Sequence, residues 1–271
     1  MKLQQLIILQ KKGPAVVKFF RKFALPHGPI ILYTLTMLYI VPTPIGNLQD
    51  ITLRALDVLK AADAVLCEDT RRTQILLTHF AVSKPTYRYN ENDERSIQRC
   101  LELLQSGKTC ALVSDCGTPC ISDPGWKLVR AAVAAGINVS SLPGPSAVAC
   151  ALAGAGITGG AFTFLGFLPR KPGKAAKLMA GAYGLNLPVV LYESPYRVVK
   201  MLTLIAKTLG ENTPVIVARE LSKVYEEWVR GTAQQVAEQF AKKTKVQGEF
   251  VIIIDRPCTE TEEQDEPDPN F

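Results

Sequence analysis

A glycine- and proline-rich loop at residues 115–125 holds the densest group of side chains that could do chemistry. It carries the carboxylates of Asp115 and Asp123, it follows an apolar stretch at 111–114, and a helical pattern begins directly after it at 126–135. A strand that ends in such a loop and continues as a helix is where open α/β sheets hold ligands. The spacing therefore predicts a ligand-binding loop at the end of a buried strand.

Two further strand ends break in the same way. Residues 40–47 read Ile-Val-Pro-Thr-Pro-Ile-Gly-Asn and precede the first predicted helix, and residues 141–147 read Ser-Leu-Pro-Gly-Pro-Ser-Ala and lead into another. A single loop of this kind is most simply explained as a well-formed turn. Three of them in one half of the chain predict one shared pocket.

The composition of these loops limits what the pocket can bind. Neither the dinucleotide pattern Gly-x-Gly-x-x-Gly nor the nucleotide pattern Gly-x4-Gly-Lys-Ser/Thr occurs in the sequence. The loop prolines fix the backbone and remove N–H donors. We expect a ligand held by a few fixed amides and carbonyls, with Asp115 able to accept a hydrogen bond from an ammonium or a ribose hydroxyl.

The cysteine and histidine content argues against a disulfide framework and against a metal site. The seven cysteines are an odd number and are scattered along the chain, which favours a reducing compartment, here the cytoplasm. Cys116 and Cys120 form a pair in the 115–125 loop, but the only histidines, His27 and His79, lie far from it in sequence. We interpret the pair as small side chains in a tight loop.

Length and charge are typical of a globular protein of one or two domains. The chain has 271 residues and a net charge of +6, and no apolar run reaches the roughly 18 residues of a membrane span. Residues 1–36 contain six Lys or Arg and no acidic residue, and residues 258–271 contain six acidic residues and no basic one. The body between them therefore carries the net +6, which is compatible with a polyanionic partner.

Strand and helix patterns alternate in the first half of the chain, which predicts βαβ units and a mainly parallel sheet. Asp50 is placed to cap the first helix. The predicted strands are 37–41, 64–67, 86–90, 109–114 and 137–142, and the predicted helices are 51–62, 71–80, one from a cap at Asn92 or Asp93 to 104, 126–135 and 146–155.

Beyond a hinge or linker at 154–160, the pattern changes to a second α/β domain with some antiparallel pairing. The predicted strands are 161–167, 188–193, 214–219, 225–231 and 249–255, and the predicted helices are 174–182, 196–209 and 233–243. We therefore predict an N-terminal α/β domain at 37–155, a C-terminal α/β domain at 161–257 and a disordered acidic tail at 258–271. For residues 1–36 we favour Met37 as the true start of translation, and otherwise expect a flexible basic extension.

Eight segments resemble one known family, in the expected order. They are LYIVPTPIGNLQDITLRAL (38–56), CEDTRRT (67–73), ALVSDCGTPCISDPG (111–125), SLPGPSA (141–147), GFLPRK (166–171), LYESPYRV (191–198), VARELSK (217–223) and QGEFVIIID (247–255). Together they are similar to the ribosomal RNA small subunit methyltransferase I family, which belongs to the tetrapyrrole-methylase-like superfamily. The resemblance implies two α/β domains of the class III S-adenosylmethionine methyltransferase fold, with the cofactor in the interdomain cleft.

The same resemblance implies an activity and partners. The activity is 2′-O-ribose methylation of a cytidine in the decoding region of 16S rRNA, with S-adenosylmethionine as methyl donor. The implied partners are 16S rRNA within the small ribosomal subunit and a second copy of the chain in a homodimer, with no membrane.

Site residues follow from the resemblance by position in these segments. Those implied to contact the cofactor are Pro44, Gly46, Ser114, Asp115, Gly117, Thr118, Pro119, Ser122, Pro143, Gly144, Ser146, Ala147, Tyr192, Ala218, Gly248 and Glu249. Those expected to contact RNA phosphates are Arg71, Arg72, Arg170, Lys171, Arg197 and Arg219.

A ribose hydroxyl is a weak acid and benefits from a nearby base or strong acceptor. Asp115 and Glu193 are the candidates for this catalytic role. Each also has a purely structural interpretation, in which Asp115 binds only the cofactor and Glu193 caps the turn before Pro195. One departure from the family pattern is Cys116, which stands where relatives often have alanine.

Two other functions remain open. The superfamily fold also supports C-methylation of a tetrapyrrole, although the segments CEDTRRT and LYESPYRV favour the RNA family. A non-enzymatic protein that binds RNA or the ribosome is the second alternative, and the intact loop residues Asp115, Gly117 and Pro119 argue against it. Methyl transfer to uroporphyrinogen would identify the first, and failure to bind S-adenosylmethionine the second.

Overall fold

The structure is a computed structural model that describes residues 36–157 and 160–256. The predicted acidic tail, and the basic extension apart from Thr36, lie outside the described residues. The described chain divides into two compact units. Unit 1 comprises 36–41, Thr52–Asp115 and Gly125–Leu142, and unit 2 comprises Pro42–Ile51, Cys116–Pro124 and the described part of 143–256.

Unit 1 contains a five-stranded parallel sheet, as predicted. Its strands are β1 (Met37–Ile40), β2 (Ala64–Cys67), β3 (Thr86–Arg88), β4 (Cys110–Leu112) and β5 (Asn138–Ser141), in the order β3-β2-β4-β1-β5. Every pairing is parallel. The strands β1, β2 and β4 are buried along their whole length, because a parallel sheet is covered on both faces and reads as a continuous apolar run.

Of the four helices described in unit 1, the first three begin at side-chain caps and the fourth begins at Gly125 without one. They are α1 (Leu53–Ala61), α2 (Thr70–His79), α3 (Glu94–Gln105) and α4 (Trp126–Ala134). Asp69 accepts from the backbone N–H of Arg71 at 2.8 Å and Asp93 from that of Arg95 at 3.0 Å, and each cap contributes about 1 kcal/mol. The prediction that Asp50 caps α1 is wrong. Thr52 has the extended cap conformation and its hydroxyl accepts from Ala55 N–H, while Asp50 ends a preceding 3-10 turn.

Unit 2 contains a mixed five-stranded sheet, and the predicted antiparallel pairing is confirmed. Its strands are β6 (Thr163–Phe167), β7 (Val189–Glu193), β8 (Pro214–Arg219), β9 (Glu227–Thr232) and β10 (Phe250–Ile254), in the order β6-β7-β10-β8-β9. Only β6 and β7 run parallel, and the other neighbours are antiparallel. The register between β6 and β7 shifts between Phe164 and Gly166, which marks a β-bulge.

Helices cover both faces of this sheet. They are α5 (Ala147–Ala155), α6 (Pro172–Tyr183), α7 (Val198–Leu209) and α8 (Ala233–Ala241). Buried residues of α6, α7 and α8 form one core with one face of the sheet. On the other face, Ala151 and Ala155 of α5 pack with Val190, Ala218 and Ile253.

The division into units differs from the two contiguous domains predicted at 37–155 and 161–257. Helix α5 belongs to unit 2 because its small side chains pack with the second sheet. The segments Pro42–Ile51 and Cys116–Pro124, which follow β1 and β4 in sequence, also belong to unit 2.

Cys67, Cys100, Cys110 and Cys150 are free thiols. Burial raises the pKa of Cys100 to about 11 and that of Cys110 to about 12, so both stay protonated as apolar core residues. Over residues 36–157 and 160–256, no cluster of three or more metal-ligating side chains occurs. In the same ranges, no helix has the length and apolarity needed to span a membrane.

Candidate functional site

Unit 2 contains a pocket of about 780 Å³, open solvent included. Apolar and acidic side chains make up most of the wall. The lining residues are Ile45, Cys116, Gly117, Thr118, Ile121, Ser122, Asp123, Ser146, Ala147, Phe167, Tyr192, Glu193, Leu221, Lys223, Glu249, Phe250 and Val251.

The three proline-rich loops predicted to share a pocket are joined to one another within unit 2. Thr43 and Gly117 form an antiparallel bridge, with Thr43 N–H donating to Gly117 O at 2.8 Å and Gly117 N–H to Thr43 O at 3.0 Å. The Thr118 hydroxyl donates to Pro145 O at 2.9 Å. The two main-chain hydrogen bonds and the Thr118 side chain together fix the three loops relative to one another.

Gly144 allows the third loop to approach the first. A Cβ at this position would lie 2.7 Å from the Cβ of Pro42, which real side chains essentially never do. Any larger residue at 144 would therefore push the two loops apart. This explains in physical terms why the sequence has glycine between two prolines here.

Tyr192 forms part of the pocket wall and also supports helix α5. The backbone N–H of Val148 donates to the Tyr192 hydroxyl at 3.1 Å, and this N–H belongs to the first turn of α5, where no helical carbonyl can accept it. The ring packs edge-on against Phe164 and Phe167, with centroid distances of 4.9 and 5.6 Å. Burial raises the pKa of Tyr192 to about 12, so the phenol stays protonated and does not act as a base near neutral pH.

Replacing Tyr192 with phenylalanine should lower the free energy of unfolding by about 1 kcal/mol, because the N–H of Val148 loses its acceptor. The aromatic packing is retained in the variant. Thermal unfolding of wild-type and Tyr192→Phe proteins measures the difference. Tyr196→Phe is the matched control, because Tyr196 is 91% exposed; equal melting temperatures for all three proteins would contradict the helix-capping role.

Glu193 is a buried carboxylate at the end of β7, with only 1% of its side chain exposed. Its Oε1 accepts from the backbone N–H of Ser194 at 2.7 Å and from the Ser194 hydroxyl at 3.3 Å. Within the described residues, Oε2 receives no hydrogen bond; it lies 3.4 Å from Nη2 of Arg197. One oxygen is therefore fixed by the backbone, and the other has acceptor capacity left.

Arg197, predicted to contact RNA, points inward in the structure. Its Nη2 lies near Glu193 and donates to Leu168 O at 3.1 Å and Pro169 O at 3.3 Å. Arg219 is also engaged inside unit 2, donating from Nε to Gln247 O at 2.6 Å and from Nη1 to Glu227 at 3.1 Å. Both guanidinium groups hold neighbouring segments together.

The other predicted RNA-contacting cations are exposed. Arg71 and Arg72 lie in the first turn of α2 in unit 1, and Arg170 and Lys171 precede α6 in unit 2. Exposed cations of this kind are available to phosphates, so a role in binding RNA stays a prediction for these four residues.

Asp115, the other candidate base, belongs to unit 1. Its Oδ2 lies 3.4 Å from Nη1 of Arg72, and its Oδ1 is buried without a hydrogen-bond partner among the described residues. The Arg72 side chain is 69% exposed, so this ion pair contributes at most about 1 kcal/mol. The pairing joins a residue predicted to bind cofactor to one predicted to bind RNA.

The structure brings part of the predicted cofactor set to the pocket wall. The predicted residues that line the pocket are Gly117, Thr118, Ser122, Ser146, Ala147, Tyr192 and Glu249, together with the candidate base Glu193. Among the described residues, those predicted but outside the lining are Pro44, Gly46, Ser114, Asp115, Pro119, Pro143, Gly144, Ala218 and Gly248. Contact of these residues with a cofactor stays a prediction.

Several lining residues were missed by sequence reasoning. Ile45 and Asp123 lie inside loops that the sequence singled out, and Phe167 lies inside the GFLPRK segment, so a signal existed for them. Leu221 and Lys223 follow β8 inside the VARELSK segment, and Phe250 and Val251 begin β10 inside the QGEFVIIID segment, so a signal existed for them as well. The local sequence pattern does not show that β8 and β10 are neighbours in the folded sheet.

Comparison with known proteins agrees with this architecture. The family model described as Tetrapyrrole (Corrin/Porphyrin) Methylases matches residues 37–237. Two solved structures are similar in fold. Uroporphyrin III C-methyltransferase from Thermus thermophilus has a TM-score of 0.57 at 18% identity and covers 80% of this chain and 96% of its own. A cobalt precorrin-4 methyltransferase has a TM-score of 0.58 at 21% identity and covers 84% and 97%.

Sequence relatives are considerably more similar. The ribosomal RNA small subunit methyltransferase I of Hydrogenobaculum is 42% identical over 226 residues, covering 82% of this chain and 96% of the relative. The protein of the same name from Thermotoga maritima is 43% identical and covers 80% and 97%. The resemblance seen in the sequence is thereby confirmed: the chain belongs to the tetrapyrrole methylase family and, within it, to the ribosomal RNA small subunit methyltransferase I family.

Proposed function

We propose that this protein transfers a methyl group from S-adenosylmethionine to the 2′-hydroxyl of a cytidine in the decoding region of 16S rRNA. Methyl transfer from this donor to ribosomal RNA follows from family membership. The nucleotide, its 2′-oxygen and its place in the RNA are the finer parts of the proposal. The observation that carries it is identity of 42–43% with relatives of that name over nearly their whole length.

The pocket of unit 2 fits S-adenosylmethionine by its chemistry. The donor combines an apolar adenine ring with a sulfonium cation, and the wall combines apolar side chains such as Phe167 and Leu221 with the carboxylates of Asp123, Glu193 and Glu249. Acidic groups favour a cation in a partly enclosed site. Ser122 and the loop at 116–118 would hold the polar part of the cofactor.

When bound, the cofactor would supply an activated methyl group on its sulfonium, at a wall where Ser122 and the loop at 116–118 would hold its polar part. The protein has to position the hydroxyl and accept its proton. We assign the role of proton acceptor to Oε2 of Glu193, because this oxygen is buried at the pocket wall and the other oxygen is held by Ser194. Nη2 of Arg197 lies 3.4 Å from Oε2 and helps to hold the carboxylate in place.

The RNA would be bound through phosphate contacts. Arg71 and Arg72 in unit 1 and Arg170 and Lys171 in unit 2 are exposed cations that suit this role, and such contacts make affinity depend on salt. Action on the assembled small subunit, as a homodimer in the cytoplasm, completes the proposal.

The test is methyl transfer to small ribosomal subunits that lack the modification, with mass spectrometry to locate the methyl group. A 2′-O-methylcytidine in the decoding region supports the proposal. Methylation of a base, or of another nucleotide, refutes its finer part.

A parallel incubation with uroporphyrinogen tests tetrapyrrole methylation, which the fold similarity alone would permit. Transfer to the macrocycle with none to RNA would overturn the proposal. We expect the reverse, because the RNA-methyltransferase relatives are 42–43% identical to the chain and the tetrapyrrole enzymes only 18–21%.

A further inference from the structure

Lys223 is a cation built into the wall of an otherwise acidic pocket. Its Nζ donates to Glu220 Oε1 at 2.8 Å and to Glu249 Oε2 at 2.7 Å. Among the described residues that line the pocket it is the only Lys or Arg, beside Asp123, Glu193 and Glu249. A cation in this place needs an explanation beyond binding a positively charged methyl donor.

The surrounding backbone is shaped to hold this lysine. Glu220 and Ser222 both have left-handed backbone conformations, with φ of 52° and 67°, which non-glycine residues adopt only at a cost and often at functional sites. A Cβ at Gly248 would lie 2.6 Å from the Cγ of Glu220, and one at Gly46 would overlap the Cγ of Lys223. Two strained residues and two glycines therefore serve to bring the ammonium group to the pocket.

The two carboxylates that hold Lys223 are not equivalent. Glu220 has 17% of its side chain exposed, and its Oε1 also accepts from the backbone N–H of Glu249 at 2.9 Å. Glu249 contributes only an exposed side chain, 70% accessible, to the ion pair. Glu220 is therefore a fixed anchor, and Glu249 is held weakly enough for another anion to replace it.

The lysine keeps its charge in this setting. Burial lowers the pKa of Lys223, but the hydrogen bonds that the ammonium donates to Glu220 and Glu249 outweigh burial, and the net shift in pKa is upward. A permanently charged ammonium is a binding group for anionic oxygen and is excluded as the base of the reaction.

We propose that Lys223 binds a phosphate of the RNA next to the target ribose, and that Glu249 occupies this place on Lys223 until RNA displaces it. The inference rests on the proposed function, since it takes RNA as the substrate. A 2′-hydroxyl is only a few bonds from the 3′-phosphate of the same nucleotide, so a pocket that admits the hydroxyl must also accept that phosphate. The Glu249 carboxylate mimics the phosphate charge and keeps the ammonium paired in the free protein.

The test compares Lys223→Met and Glu249→Gln with wild type in the full chain. The probe is unmethylated small-subunit RNA, with binding measured over a range of salt concentrations. Lys223→Met should weaken RNA binding about 10-fold and reduce the slope of log affinity against log salt by about one. Glu249→Gln should strengthen RNA binding about 2- to 5-fold, because the competing carboxylate is gone. Lys242→Met, on an exposed residue beyond α8, is the matched control for loss of one charge.

Calorimetry with S-adenosylmethionine alone separates the proposal from its main alternative. We expect cofactor affinity within 2-fold of wild type for Lys223→Met, while RNA binding changes. If Lys223→Met instead weakens binding of the cofactor and leaves the RNA affinity and its salt dependence unchanged, the ammonium binds the carboxylate of the cofactor and the proposal is wrong.

If Lys223→Met fails to fold, the Glu249→Gln variant, which changes an exposed side chain, still tests the proposal. Unchanged RNA affinity in Glu249→Gln would refute the replacement of Glu249 by an RNA phosphate on Lys223. The proposed function fails separately, namely if wild-type protein transfers no methyl group to RNA at all.

Discussion

Replacing Glu193 with glutamine should lower kcat for methyl transfer by about 10²- to 10⁴-fold, the usual contribution of a positioned general base. Glutamine has nearly the same shape as glutamate, so its amide oxygen can still accept from the Ser194 N–H that now bonds Oε1. What is lost is the capacity of Oε2 to take a proton from the ribose hydroxyl. We therefore expect a defect in the chemical step, visible in single-turnover kinetics with saturating RNA and cofactor.

Affinity for the two substrates distinguishes a chemical role from a structural one. Binding of S-adenosylmethionine should weaken only modestly in Glu193→Gln, because one of the three wall carboxylates is lost while the wall keeps its shape and its apolar contacts. Glu238→Gln is the matched control, because it makes the same chemical change at an exposed site on α8. A melting scan of both variants shows whether Arg197, now without its anion, has destabilised unit 2.

One result would move the catalytic role to the other candidate. If Glu193→Gln methylates RNA at the wild-type rate while Asp115→Asn is inactive, the acceptor of the proton is Asp115. Glu193 would then have only a structural role, through its hydrogen bonds with Ser194 and its ion pair with Arg197.

Much of the fold could be predicted from sequence because local rules agreed with the tertiary structure. Strands β1, β2 and β4 are short apolar runs bounded by loops, and Asp93 caps a helix whose buried face repeats at helical spacing. Helix α5 could not be assigned in this way. Its side chains are small on every face, so no stripe of larger residues shows which face is buried. Only its packing with Val190 and Ile253 places it in unit 2.

The candidate site could likewise be predicted from the sequence only in part. Loops rich in proline and glycine were predictable, because these residues restrict the backbone wherever they occur. The direction of a charged side chain was not. Arg197 and Arg219 read as surface cations, yet buried or partly buried carboxylates and carbonyl groups draw both inward. Lys223 faces the pocket because Gly46 and Gly248, distant in sequence, leave room for it and for Glu220.

Replacing Gly166 with valine should lower the free energy of unfolding by about 3 kcal/mol or more, a larger loss than we expect for Tyr192→Phe. Gly166 sits at the bulge between β6 and β7 with φ of 60°, and this left-handed conformation costs a non-glycine residue roughly 1–3 kcal/mol, with β-branched residues at the upper end. The new Cβ would also lie 2.6 Å from the Ser122 hydroxyl oxygen. We expect the melting temperature to fall by roughly 6–12 °C, at about 2–4 °C for each kcal/mol in a chain of this size.

Gly181→Ala is the matched control for adding a side chain to glycine. Gly181 lies in α6 with open space around its Cα, so alanine should stabilise the protein by about 0.5–1 kcal/mol through helix propensity. The opposite signs at 166 and 181 would show that backbone conformation and contact, and not loss of glycine as such, decide the outcome. A Gly166→Val variant as stable as wild type would mean that β6 can rearrange its bulge.

The strain and the contact at Gly166 can be separated with Gly166→Ala, made both alone and together with Ser122→Ala. Removing the Ser122 hydroxyl abolishes the close contact but leaves the left-handed backbone at 166 unchanged. If contact dominates, the second substitution should recover most of the lost stability, and the two effects will not add. If backbone strain dominates, the losses will add, and S-adenosylmethionine affinity should then stay near wild type in Gly166→Ala, because Ser122 has not been pushed from the pocket wall.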